Sequence, residues 1–139
     1  MTQAKTLYGA EHVRAYRETG GKLGHDWKKG SKILLLTTTG RTTGEPRTTP
    51  LIYEEDGDRY VIVASKGGAP KDPGWYRNLT QDPDVELQVW DEVFPARART
   101  VEGEERARLW ELAAKQWPDY DAYAERTDRE IPVVVLERV

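Results

Sequence analysis

The 139-residue chain contains no cysteine. That excludes disulfides, thiolate metal sites and a cysteine nucleophile, and it fits a reducing compartment. Histidine is almost as scarce: only His12 and His25 occur, both in the polar N-terminal region. No group of His, Asp and Glu has metal-ligand spacing, so both histidines are expected to be structural or solvated, and no metal is expected. Long apolar runs are missing as well. Nothing approaches the roughly 18 apolar residues of a membrane span, and MTQAKTLYGAEHVRAY has no signal-peptide core. A soluble, cytoplasmic protein is expected, with peripheral membrane contact compatible with that. A Gly-x-Ser-x-Gly elbow is absent, which removes the serine-hydrolase reading. Gly40–Gly44 lacks the Gly-Lys-Ser/Thr ending of a phosphate-binding P-loop. A net charge of −3 argues against a general nucleic-acid binder.

What is present suits one domain with a real core. Apolar residues make up 37% and charged residues 32%. Residues 10–19 read as an amphipathic helix ended by Gly20-Gly21, with Val13 and Tyr16 as its apolar contacts. Residues 20–31 read as a loop with Trp27 isolated in it. Lys32 to Thr39, through Ile33-Leu34-Leu35-Leu36, is a strand buried on both faces. Arg47 to Glu55 is a second strand, Asp56-Gly57-Asp58 a hairpin turn, and Arg59 to Ser65 a third strand. Asp72 is a candidate N-cap, and Pro73 the first residue, of a short helix. Val85 to Trp90 alternates with period two, and Val93 to Val101 follows, with Pro95 at an edge or bulge position. Glu102 to Trp117 is the clearest helix, supported by a Glu104–Arg108 pair. Asp119 to Glu125 is a second, shorter helix, and Ile131 to Val139 a last strand. The fold class expected is mainly β (α+β). About six antiparallel strands form a small barrel, with a short helix after the third strand and a helical pair before the last.

Two constellations could carry chemistry. Tyr60 to Ala64 runs into Ser65-Lys66-Gly67-Gly68, where glycine backbone can approach a ligand closely and Lys66 adds a mobile cation. Alone, this reads as a tight strand-to-helix connection. Basic residues also gather at Lys28, Lys29, Lys32, Arg41 and Arg47, and later at Lys66, Lys71 and Arg77. In a two-hairpin barrel, the Gly40–Arg47 turn and the Lys66–Lys71 loop can share one rim, which suits a polyanionic small molecule. In WPDYDAY, Trp117, Tyr120 and Tyr123 recur every three residues and lie along one helical face. By default that face packs into core; its functional reading is an aromatic wall over a planar ligand, with a tyrosine hydroxyl able to give a proton.

Leu34-Leu35-Leu36-Thr37-Thr38-Thr39-Gly40-Arg41-Thr42-Thr43-Gly44-Glu45-Pro46-Arg47, Ala64-Ser65-Lys66-Gly67-Gly68, Trp75-Tyr76-Arg77-Asn78-Leu79, Trp117-Pro118-Asp119-Tyr120 and Thr127-Asp128-Arg129-Glu130-Ile131-Pro132 follow one another in order. Together, over about residues 30–139, they resemble the deazaflavin-dependent nitroreductase family. The resemblance implies a split β-barrel at 32–139, preceded by an N-terminal helix and lid segment at 1–31, and an actinobacterial source. The implied cofactor is coenzyme F420, an 8-hydroxy-5-deazaflavin with a phosphate and a polyglutamate tail. The implied activity is hydride transfer from its reduced form to a quinone, nitroaromatic or activated enone. By position, Arg41, Thr42, Thr43, Gly44 and Arg47 would meet the phosphate or tail. Ser65, Lys66, Gly67 and Gly68 would line the deazaflavin, supported by Trp75, Tyr76 and Asn78. Tyr120, assisted by Ser65, would protonate the acceptor, and Trp117 and Tyr123 would wall its pocket. Relatives often carry lysine where Thr42 stands and can carry tyrosine where Trp117 stands. A split barrel holding flavin mononucleotide and a non-catalytic F420 carrier would share these binding residues.

Overall fold

The computed structural model describes residues 7–139; the first six residues of the expected lid segment lie outside it. Seven antiparallel strands form one curled sheet: β1 (Ile33–Thr39), β2 (Pro46–Ile52), β3 (Glu54–Asp56), β4 (Arg59–Val63), β5 (Asp84–Val89), β6 (Glu92–Thr100) and β7 (Val133–Arg138). Their order in space is β2-β1-β5-β6-β7-β4-β3. Four helices accompany them: α1 (Gly9–Thr19), α2 (Gly74–Gln81), α3 (Gly103–Gln116) and α4 (Asp119–Glu125). Among the described residues, no helix is long and apolar enough to cross a membrane.

The seventh strand comes from a break in the expected second one. Tyr53 interrupts Pro46–Asp56, so that β2 and β3, consecutive in the chain, stand at opposite ends of the sheet order. The chain itself bridges the sheet's two edges there. Tyr53 is held by its N–H on the Lys32 carbonyl (3.0 Å), its carbonyl under the Gln116 amide (2.7 Å) and its hydroxyl on His25 Nε2 (2.8 Å). Period-two alternation sorts the side chains onto two faces. Leu34, Leu36, Ile62, Val85, Leu87, Val134 and Leu136 fill the barrel interior. On the outer face, Val61, Val63, Val133 and Val135 pack under Leu109, Ala113, Trp117 and Tyr120 of the α3–α4 region. Ile33 and Leu35 pack under Tyr16 of α1. The β2 edge carries Pro46 and Pro50, which lack the N–H that a further strand would need. Pro95 is tolerated because β7 pairs only as far as Ala96; beyond it, Val139 N–H meets the Pro95 carbonyl at 3.1 Å.

Two local expectations are corrected. Pro73, not Asp72, is the N-cap residue of α2; the Asp72 carboxylate is instead taken by Arg129 at 2.9 Å. Arg108 pairs with Asp56 of β3 rather than with Glu104, because a partner from another element reaches it at 3.0 Å. Of the two roles expected of the histidines, both take the structural one. His12 is 2% exposed and His25 3%. His25 is fixed between Asp26 and the Tyr53 hydroxyl, with its ring stacked on Trp90 at 3.6 Å.

Candidate active site

The two outer-face clusters meet at a cavity of about 350 Å³. Its walls are Pro50, Leu51 and Ile52 of β2, Val63 of β4, the Ser65–Gly67 backbone, Trp75, and the trio Trp117, Tyr120 and Tyr123. β2 and β4 do not pair with each other, so the cavity opens where the sheet is not hydrogen-bonded. Ser65, Lys66, Gly67, Trp75, Trp117, Tyr120 and Tyr123, all named from sequence, therefore converge on one space.

The loop after β4 is held in an unusual shape. Lys66 adopts φ +46°, followed by Gly67 at +63° and Gly68 at +81°. A left-handed lysine is uncommon and costs energy that the surroundings must supply. Arg129 supplies it. Its guanidinium donates to the carbonyls of Ala69 (2.8 Å), Ala64 (3.2 Å) and Ser65 (2.7 Å), and to the Asp72 carboxylate. One planar fork thus organises the whole 64–72 segment. Gly68 closes the loop onto α4. A Cβ there would lie 2.8 Å from the Tyr123 carbonyl oxygen. Gly67 faces open space, since a Cβ at that position would meet nothing within 4 Å. Backbone is therefore presented directly at the cavity.

Trp117 and Tyr120 do not share one helix. α3 ends at Gln116, Trp117 and Pro118 form the corner, and Tyr120 and Tyr123 lie on α4. The aromatic wall survives this. Trp117 Nε1 points to the Tyr123 hydroxyl at 3.4 Å, and the Tyr120 and Tyr123 rings meet edge-on at 6.2 Å. Tyr120 is 5% exposed, and its hydroxyl makes no hydrogen bond with any described residue. Burial pushes its pKa well above the ordinary tyrosine value, so the proton is retained across the neutral range. The Ser65 hydroxyl is likewise uncommitted among the described residues.

The remaining residues named from sequence stand behind or beside the cavity. Asn78 ties α2 to the β1–β2 turn: its amide donates to Thr38 Oγ1 (3.1 Å), and its Oδ1 accepts from Arg41 N–H (3.2 Å) and Nη1 (2.8 Å). Tyr76 bonds Thr100 at 3.0 Å. Arg41, Thr42, Thr43, Gly44 and Arg47 are exposed and off the cavity wall. They lie on the turn that Asn78 holds against α2, the helix that follows the Lys66–Lys71 loop. Lys66, Lys71, Arg77 and Arg47 have no ion pair among the described residues.

Sequence reasoning gives no site role to Tyr8, His12 and Trp27, which also line the cavity. Trp27 stacks on Trp117 at 5.9 Å and donates Nε1–H to the Leu7 carbonyl at 3.0 Å. Lys29 then reaches Asp119 of α4 at 2.9 Å and lies over the Trp117 ring at 5.0 Å. An isolated tryptophan in a glycine-rich loop has no periodicity to reveal a packed face, but its size alone marks it as a candidate for burial.

A curled antiparallel sheet, with a ring-walled cavity beside a basic loop, is the architecture of a split-barrel reductase. The chain belongs to the F420H(2)-dependent quinone reductase family, whose model matches residues 8–138. It is 48% identical over 130 residues to an F420H(2)-dependent quinone reductase of Mycobacterium tuberculosis, covering 91% of this chain and 87% of that protein. A solved F420-H2 dependent reductase, FDR-A, is 47% identical with a TM-score of 0.71, covering 76% of this chain and 93% of that one. A second solved structure, described as a domain-swapped dimer, is 42% identical with a TM-score of 0.74, covering 90% and 92%. Membership makes this chain an oxidoreductase with coenzyme F420 as its cofactor.

Proposed function

We propose that this chain reduces quinones with hydride from reduced F420, the ring being held in the cavity and the phosphate and tail on the exposed basic rim. The residues fit the coenzyme. Open space over Gly67, the left-handed run through Gly68 and the flanking rings suit a planar group. The unpaired Lys66 and Arg47 suit an anionic tail. When bound, the reduced coenzyme supplies the hydride. The protein's part is to exclude water with Trp27, Trp75 and Trp117, to hold the acceptor against the Ser65–Gly67 loop, and to answer the charge that develops on the acceptor oxygen. Tyr120 answers it by donating a hydrogen bond from its uncommitted hydroxyl, with Ser65 as a second donor.

The observation that carries this reading is the buried, proton-retaining Tyr120 hydroxyl in the same cavity as the loop. It favours a catalyst over a protein that only sequesters the coenzyme. Nitroaromatics and activated enones also develop negative charge on oxygen or beside it, and the same donor serves them. The test is to mix purified protein with reduced F420 and a panel of quinones, nitroaromatics and enones, and to follow coenzyme oxidation. Quinones are expected to turn over. Tight F420 binding without oxidation by any acceptor would leave the carrier reading in its place.

A further inference from the structure

His12 is a buried titratable group that the mechanism above does not use. Its ring is 2% exposed and lines the cavity. Nε2 lies 2.8 Å from the Gly24 carbonyl oxygen. A carbonyl can only accept, so Nε2 carries a proton, and Nδ1 is the ring nitrogen left for a ligand. The Cδ2–Nε2 edge is the one pressed against Gly24, whose Cβ position is 2.9 Å from Cδ2 and 3.0 Å from Nε2. Nδ1 therefore faces away from that segment, and it makes no hydrogen bond with any described residue. Nδ1 is thus open to a hydrogen bond from a ligand in the cavity.

His12 also has a definite place relative to Tyr120. The rings form a row of contacts: His12 to Trp27 at 6.3 Å, Trp27 to Trp117 at 5.9 Å, Trp117 Nε1 to the Tyr123 hydroxyl at 3.4 Å, and Tyr123 to Tyr120 at 6.2 Å. One end of the row holds a hydroxyl that can donate, and the other a ring nitrogen with no partner among the described residues. A plain quinone brings two carbonyl oxygens, which satisfy the first end and leave the second unmet.

We propose that His12 is a specificity-determining residue. Its Nδ1 accepts a hydrogen bond from the hydride acceptor, so the preferred acceptors are quinones that carry a hydroxyl-bearing substituent at the end remote from Tyr120. This rests on the reductase reading for which ligand occupies the cavity. It adds that the donor and acceptor ends of the wall read opposite ends of that ligand.

The test compares a naphthoquinone bearing a hydroxymethyl group with its methyl ether, both neutral and nearly equal in shape. Affinity is read by quenching of the cavity tryptophans, and turnover by oxidation of reduced F420. Wild type should favour the alcohol about tenfold, the worth of one hydrogen bond. In His12→Gln the amide nitrogen can still donate to Gly24, but no acceptor remains at the Nδ1 position. That variant should bind the two ligands equally, with ether and F420 affinity within about twofold of wild type. His12→Asn places an amide oxygen near the Nδ1 position and should regain part of the preference. Three results would overturn the proposal: no preference in wild type, an undiminished preference in His12→Gln, or a loss of F420 affinity in that variant, which would place His12 on the coenzyme. The wild-type comparison decides even where a variant folds poorly. A binding preference lost in His12→Gln, with no F420 oxidation by either quinone, would sustain this proposal while defeating the reductase reading.

Discussion

Lys66 occupies a backbone region that non-glycine residues seldom use, at the mouth of the cavity and without an ionic partner among the described residues. Strain held in place at a cationic side chain is expected where the cation has a ligand to meet. Lys66→Ala should weaken F420 binding by about 1–3 kcal/mol at low ionic strength. Wild type should lose much of that advantage in high salt, because the group is exposed and screened. Isothermal titration at two salt concentrations checks this, and an unchanged dissociation constant at low salt would place the anion elsewhere. Tyr120 is tested differently. Tyr120→Phe keeps the ring and removes only the hydroxyl, so F420 affinity should hold while turnover falls on the order of a hundredfold where proton transfer limits the rate. Burial keeps the phenol protonated beyond its usual range. The wild-type rate should therefore show no falling limb from this group as pH approaches 10. Full activity in the phenylalanine variant across all acceptors would leave Ser65 or solvent as the donor.

The loop from Ala64 to Asp72 has its shape from a residue some sixty positions away. Arg129 meets three of its carbonyls and the Asp72 carboxylate, and lysine, a single point charge, cannot reach them together. Arg129→Lys should lower stability by about 2 kcal/mol for the carbonyls left unpaired. It should also weaken F420 binding at temperatures where the variant is fully folded. Thermal melting and coenzyme titration of the same preparation separate the two effects, and a stable variant with normal affinity would show that the loop holds itself. This is also where legibility in the sequence stops. Strands and helices follow from apolar period and glycine punctuation, and α4 spans Asp119–Glu125 in sequence and structure alike. The site trio is visible as WPDYDAY because aromatic spacing is written in the chain. Arg129 stands in a recognisable segment without a role, since its partners are mostly backbone carbonyls, which leave no mark in sequence. The break at Tyr53 is hidden for a similar reason. Arg47 to Glu55 alternates well enough for one strand, and only closure of the sheet divides it.

Across the whole molecule, ion pairs and buried phenols set opposite pH limits. Asp56 is held down to about 2 by hydrogen bonds from Arg108 first and Arg59 second, tying the β3–β4 hairpin to α3. A carboxylate depressed in the folded state stabilises it above the ordinary carboxylate pKa, and that contribution is lost as pH falls from about 4 to 2. Tyr16, pushed up to about 12 chiefly by burial, acts in the other direction. Its contribution is complete below about pH 10, where the unfolded phenol begins to ionise, and fades as pH climbs towards 12. Urea midpoints should fall as pH drops below about 4 and again as it rises above about 10. Asp56→Asn should flatten the acid side without touching the alkaline one. An acid limb identical to wild type would mean that other carboxylates carry it.

β7 lies between β6 and β4, and without it the sheet divides into β2-β1-β5-β6 and β4-β3, groups that share no strand pair. It also arrives last of the seven in chain order. Assembly therefore has a keystone rather than a seed. The hairpins can form early and locally, but the two halves of the cavity, Ile52 on one side and Val63 on the other, gain a common frame only when β7 is laid between them. Such a chain should fold slowly for its size, because its decisive contacts are far apart in sequence. Until then it exposes two unpaired strand edges, the template for association between copies. Val134→Ala, in the middle of β7, should slow stopped-flow refolding more than the same truncation at Val85 in β5. Equal slowing would make the keystone only a matter of geometry.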